Sequence, residues 1–324
     1  MLSYLFLIRN LILSSFFFLA AALPAGGLKW CQAGKVSIPP KIDGVLDDAV
    51  WKNAERNGPF VSATYVGSGA AEETFFSVLH DENALYFGVE CRESRMNELV
   101  ARHGAQNNKS QNLNLWKDDC VEIFIDPKYS RHSYYHFIAN SAGARNEESS
   151  EEGKAWSGAW EVRGGRGEKA WFVEAAIPFS TLKIKWSDGM LLGMNVNRAH
   201  YAGGSVEFSS WSDTGASFHQ PDKFGQLLVN PKACLRKTIL PLLNQRLVDV
   251  KKELAGGLKG DSGPVAEKFK KMDLLLAETL ETAARKDPVS LRDASAVSEK
   301  AWGLLDALSG LKDEMKCPAL ELWF

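Results

Sequence analysis

Between Trp116 and Pro127 the chain switches from a polar loop to strict alternation, and that switch constrains the fold most. Val121, Ile123 and Ile125 point one way while Cys120, Glu122, Phe124 and Asp126 point the other. Val, Ile and Phe favour a pleated strand, and Pro127 ends it by removing a backbone donor. Just ahead of this strand, Trp116 is carried on a loop beside carboxylates. A flat indole next to hydrogen-bonding groups suits the C–H face of a sugar ring, with the carboxylate orienting hydroxyls. The structural alternative is a Trp116 that caps the core and a Glu122 that is solvated.

Similar segments recur on both sides. Phe60–Tyr65, Thr74–His80 and Ala84–Cys91 read as strands, the last two joined by the Asp81-Glu82-Asn83 turn. Val36–Pro39 reads as a short edge strand, and Leu46–Trp51 as one or two helical turns capped by Asp47 with Trp51 buried. Beyond Pro127, strands are expected at 134–140, 156–163, 169–177, 191–200, 204–211 and 224–229, with Arg145–Gly153 a polar, acid-rich turn and Pro178–Leu182 a helical link. Ten or eleven short strands with frequent turns predict a mainly β chain: an antiparallel β-sandwich over residues 30–231. From 232 to 324 the apolar spacing changes to a helical period. Leu243, Leu247, Val250 and Leu254 mark one helix, Val265 to Leu280 a second, and Leu291 to Leu308 a third, opened by Asp287-Pro288. A small C-terminal α-helical segment is therefore expected.

Composition narrows the partners. A net charge of −2 over 324 residues gives no basic groove for nucleic acid. Ten Trp exceed ordinary packing needs and suggest ligand stacking. Residues 1–25 read as a signal peptide, an apolar run followed by small residues near 22–27, with an uncleaved anchor the alternative. The expected location is secreted, periplasmic or cell-surface, where Asn108-Lys109-Ser110 is a glycosylation acceptor if the source uses one. Export permits disulfides, but five cysteines (31, 91, 120, 234 and 317) leave at least one unpaired within the chain. No Cys/His zinc spacing, nucleophile elbow, phosphate loop or paired catalytic carboxylate is present in the sequence. Asp118 and Asp119, being adjacent, would face opposite ways on a strand.

The pattern Trp116-x-x-Asp119-x-Val121-Glu122-Ile123-Phe124-Ile125-Asp126 resembles the central motif of the family 9 carbohydrate-binding modules. Further matches follow in order: Ile42 to Trp51, Asp81 to Phe87, Phe172 to Pro178, Trp211-Ser212-Asp213 and Pro221 to Gly225. The resemblance covers about residues 35–230 and implies a sandwich of the jelly-roll or immunoglobulin-like kind. It implies a sugar held between two aromatic plates: Trp116 matches the first, and Phe218 stands where the family usually has Trp. Glu122 matches a carboxylate that holds hydroxyls, Asn140 an amide on the next strand, and Asn197 a position that can carry another amide. Ile138 stands where the family's best-known binder has arginine, so one charged contact is missing. Neighbouring family strands make a Cys91–Cys120 pair geometrically conceivable, and family members can hold structural calcium in acidic loops, with ligands here unassigned.

The resulting expectation is an exported, non-catalytic protein that binds an oligosaccharide or polysaccharide. It would assist a separate glycoside hydrolase in carbohydrate catabolism, or present sugar for uptake; a catalytic barrel of about 250 residues does not fit beside the module. Two alternatives come from other classes. Related sandwiches carry haem for electron transfer, for which Met194 and His136 are the candidate axial ligands. The other is a sandwich that has lost sugar binding and serves as a protein-interaction module.

Overall fold

The computed structural model describes residues 29–65, 67–105 and 114–242, plus isolated positions from 245 to 281, each helical. The expected signal peptide, the Asn108 acceptor, Cys317 and the third C-terminal helix lie outside the described residues. One compact unit spans Lys29–Thr238. Beyond Thr238 the described positions belong to a second unit and are helical, most of them within the first two expected helices.

Twelve strands make one sheet: β1 (Trp30–Lys35), β2 (Val61–Ser62), β3 (Thr74–His80), β4 (Ala84–Arg92), β5 (Cys120–Asp126), β6 (Tyr135–Asn140), β7 (Arg145–Ser149), β8 (Glu161–Arg166), β9 (Ala170–Pro178), β10 (Leu191–His200), β11 (Glu207–Ser210) and β12 (Gly225–Val229). Their order is β7-β6-β5-β10-β12-β1-β3-β4-β9-β8, with β11 joining β10 to β2. β1 lies parallel to both β12 and β3, and the other pairings of named strands are antiparallel.

The path folds over on its own core. Val121, Ile123 and Ile125 of β5 and Leu192, Met194 and Val196 of β10 share one buried cluster with Leu85, Phe87 and Val89 of β4 and Val173, Ala175 and Ile177 of β9. The odd-numbered side chains of β5 therefore face the core, as their alternation requires. Its even-numbered residues are buried as well. Both faces of β5 are covered.

Several local expectations are corrected. The N-terminal strand is Trp30–Lys35 rather than Val36–Pro39, and it lies inside the sheet rather than at an edge. The acid-rich 145–153 segment is not only a turn. Its first half is β7, an edge strand, and polar side chains are ordinary on such an edge. β8 begins only at Glu161, because Trp156 and Trp160 leave the ladder to pack edge-on against Phe137, at 5.9 and 5.1 Å between ring centroids. Helix α1 (Ala49–Lys52) is preceded by Asp48, not Asp47, and Asp48 accepts from Lys41 N at 2.8 Å instead of capping. Cys91 and Cys120 are not partners. β4 lies between β3 and β9 while β5 lies between β6 and β10, and the four described cysteines are free and buried. Burial pushes the Cys91 and Cys234 thiols up to about 12, which keeps them inert.

The 42–51 and 172–178 motifs meet at one carboxylate. Glu174 Oε2, on β9, accepts from the backbone N–H groups of Asp43, Gly44 and Val45 at 3.0, 2.7 and 3.2 Å. Its Oε1 accepts from Trp51 Nε1 at 2.8 Å. The turn held this way presses on β8: a Cβ at Gly165 would sit 1.9 Å from Gly44 O, and Gly44 itself has φ +90°. Replacing Trp51 by Phe deletes one donor to this buried carboxylate. Urea denaturation should show a loss of about 1–3 kcal/mol. Glu174→Ala, which orphans four donors together, should cost more. A Trp51→Phe change within about 0.5 kcal/mol of wild type would show that the indole bond carries no weight.

Candidate functional site

Trp116 is placed by its neighbours. In the single 3-10 turn Leu115–Lys117, Leu115 is fully buried among Cys120, Ile138, Ala144 and Ala199, while the Trp116 ring points outward and stays 45% exposed. The two aspartates that follow are fasteners. Asp118 accepts from Arg102 N at 3.0 Å, Arg102 Nη1 at 2.9 Å and Asn140 Nδ2 at 2.9 Å. Asp119 accepts from Val100 N, Tyr201 N and Ala202 N at 2.7, 2.8 and 3.3 Å. Both are buried and their oxygens are taken up by these donors, so neither is the carboxylate beside the indole.

That carboxylate is Glu122. In register, Glu122 lies between Ile138 on β6 and Asn197 on β10, and Asn197 is followed by Ser210 on β11, so the four share one face. Above this face is a cavity of about 540 Å³, walled by Trp116, Glu122, His136, Glu148, Phe208, Phe218 and His219. His136 bridges two acids: Nε2 meets Glu122 Oε2 at 2.8 Å and Nδ1 meets Glu148 Oε1 at 3.1 Å. Its ring stacks on Phe124 with centroids 4.0 Å apart and planes 13° from parallel, and His219 stands edge-on to it at 5.3 Å. Burial alone would strip the charge from His136, but the hydrogen bonds and fields of Glu122 and Glu148 outweigh it and raise its pKa above the ordinary value. Glu148 is lowered, chiefly by its bond to His136. His219 is lowered by burial and then by the His136 charge.

The sequence-derived residues divide between two environments. Trp116, Glu122 and Phe218 come together on the cavity, with Phe218 edge-on to Phe208 at 5.9 Å. Asn140 does not line it. Its Nδ2 donates to His103 O and Asp118 Oδ2, and its Oδ1 accepts from Ala142 N and Ala144 N, so the amide closes a turn. Asn197 is buried beside Glu122 without reaching the wall, and neither atom of its amide, nor Ser210 Oγ, has a hydrogen-bond partner in the structure. Met194 and His136 cannot be axial ligands of one haem. Met194 pairs with Ile125 and faces the core, whereas His136 pairs with Phe124 on the opposite face.

Glu148, Phe208 and His219 line the cavity with no motif to mark them, and His136, read from sequence only as a candidate haem ligand, lines it too. Parity could have found His136, since it lies two residues from Ile138 on the same face. Glu148 offered no such signal while its strand was read as a turn.

Comparison with known proteins places these residues in a family. The family described as carbohydrate family 9 binding domain-like matches residues 42–231. Endo-1,4-beta-xylanase A of Thermotoga neapolitana is 33% identical over 199 residues, which are 58% of this chain and 17% of that protein. The chain thus spans about a sixth of the length of the curated relatives it matches. Among solved structures, a protein from Bacteroides uniformis aligns with TM-score 0.50 and 20% identity over 63% of this chain and all of its own. A family 9 carbohydrate-binding module from Caldicellulosiruptor kristjanssonii, solved with glucose, aligns with TM-score 0.48 and 22% identity over 62% of this chain and 96% of its own.

The bridged histidine makes stability depend on pH. Because its folded pKa is raised, His136 contributes fully below its unfolded value of about 6.5, and the contribution is lost as pH rises through the folded value. Glu148, being lowered, contributes above about 4.5 and loses that as pH falls through its folded value. Glu122, acting on His136, and His219 and Lys154, acting on Glu148, are the other titratable groups that face this pair. In metal-free buffer the melting temperature of wild type should exceed that of Glu148→Gln by more at about pH 6 than at about pH 9. An equal gap at both values would mean that the imidazolium does not form.

Proposed function

The chain belongs to the carbohydrate family 9 binding domain-like family, and from that premise we propose that the cavity over β5 binds the end of an oligosaccharide or polysaccharide. The observation that carries this reading is the exposed Trp116 ring on a cavity that also holds the buried carboxyl of Glu122. An indole face covers the apolar face of a pyranose, and a carboxylate beside it accepts hydroxyl hydrogen bonds. Phe218, packed against Phe208, supplies a second aromatic surface on the same cavity. Asn197 stands one strand from Glu122 with its hydrogen-bonding capacity unspent, and Asn140 supports the site through Asp118.

The wider role follows from chemistry and kinship. The relatives matched in part include xylanases and an exoglucanase, so the binding function fits delivery of an exported glycoside hydrolase to its polysaccharide, or capture of the products. In this reading the sheet is the jelly-roll or immunoglobulin-like sandwich of such modules, and the protein works outside the cytoplasm.

Calorimetry with soluble cello- and xylo-oligosaccharides tests the site. Trp116→Ala should weaken binding by about 2 kcal/mol or more, roughly 30-fold, because it removes an aromatic anchor. Glu122→Gln keeps the shape and should cost about 1–3 kcal/mol. Phe218→Trp enlarges the second surface and should tighten binding or extend it to longer chains. Thermal melts run in parallel separate binding from packing. A lowered melting temperature with unchanged sugar affinity in Trp116→Ala would sink the assignment.

A further inference from the structure

We propose that His136, Glu148 and His219 form a binding site for a borderline divalent transition-metal ion of the zinc class in the wall of the cavity. One ligand atom from each lies within 4.8 Å of the others. Two imidazole nitrogens and one carboxylate oxygen are the donor set that such ions prefer, whereas calcium and magnesium call for oxygen alone.

The surroundings prepare the set for a cation. Glu122 Oε2, buried and 2.8 Å from His136 Nε2, accepts the ring proton there, so Nδ1 is the nitrogen that a metal ion would take, in place of the second proton of the imidazolium. That nitrogen lies 3.1 Å from Glu148 Oε1, so a cation held by both would answer the carboxylate as the ring proton does without metal. A carboxylate behind a ligating histidine is the usual second support of a zinc ligand, because it fixes the tautomer and raises the basicity of the other nitrogen. His219 stands edge-on to His136, steered by a 2.8 Å hydrogen bond between its Nδ1 and Tyr134 Oη. Donors on a four-coordinate zinc lie about 3.4 Å apart, so the set must close by roughly 1 Å. His219 is the exposed member, carried on the loop between β11 and β12, and its side chain supplies that movement. All three residues line the cavity, so the remaining coordination position is completed from it, by water or by a hydroxyl.

This site does not depend on the sugar reading, and the metal alone tests it. Untagged full-length protein, stripped with EDTA and dialysed, is titrated with zinc chloride by calorimetry, and with cobalt chloride by visible absorption. The expected result is one zinc per chain with a micromolar or tighter Kd, and the visible bands of four- or five-coordinate cobalt. His219→Ala and Glu148→Gln should each weaken zinc at least tenfold while keeping the wild-type near-UV circular dichroism, and Glu122→Gln, acting through His136, should weaken it roughly 10–100-fold. Trp116→Ala should leave the zinc isotherm unchanged even where it abolishes sugar binding, which keeps failure of one assignment distinct from failure of the other. Absence of saturable zinc binding, or binding that His219→Ala does not alter, overturns the proposal.

Discussion

Burial of β5 on both faces is the condition from which the rest of the domain follows. One face, Val121, Ile123 and Ile125, supplies the core that the two arms of the sheet share. The other face, Glu122 and Phe124, is covered by a histidine and aromatic rings rather than by another sheet. A carboxylate can lie under such a cover only if it is answered by hydrogen bonds, because an unpaired buried charge costs several kcal/mol. His136 answers Glu122, and the pair leaves a polar floor beneath the aromatic rings of Trp116, Phe208 and Phe218. Core packing and site chemistry are thus two faces of one strand.

Around that strand the loops are fastened by acids rather than by disulfides. Asp118, Asp119 and Glu174 each accept from donors remote in sequence. Glu147 does the same for Ser157 Oγ and Trp160 Nε1, at 2.8 and 2.9 Å. A carboxylate with two oxygens can accept several N–H groups at once, and charge-assisted bonds are about twice as strong as neutral ones. The two aspartates at the head of β5 therefore work as rivets, and Trp116 is held out toward solvent because Leu115 before it and Asp118 and Asp119 after it are held in.

Much of this was legible in the sequence. Alternation located β5, β3, β4 and β10 because each buries large apolar residues at every second position. The indole and Glu122 were legible too, since one is an aromatic on a loop and the other has the wrong polarity for a plain strand. What escaped notice was set by distance or by composition. β7 is written in Arg, Asn, Glu and Ser, so no hydrophobic period marks it, and with it went Glu148. The amide of Asn140 looks the same in sequence whether it meets a ligand or closes a turn; its partners decide, and they come from residues 103, 118, 142 and 144. Cys91 and Cys120 show the same limit, since strand order is a long-range fact that neither neighbourhood contains.

The parallel placement of β1 between β3 and β12 has a consequence for how the domain assembles. Trp30 pairs with Gln226 and Ala33 with both Val78 and Val229, so one six-residue strand spans the early and late parts of the chain. During synthesis β1 can meet β3 soon after both emerge, but its other edge stays bare until the chain has grown from His80, the end of β3, to Gly225, the start of β12. Loop closure over that separation is slow compared with hairpin formation. The nascent domain therefore carries an open β edge for most of its translation, and the arrival of β12 is the event that seals it.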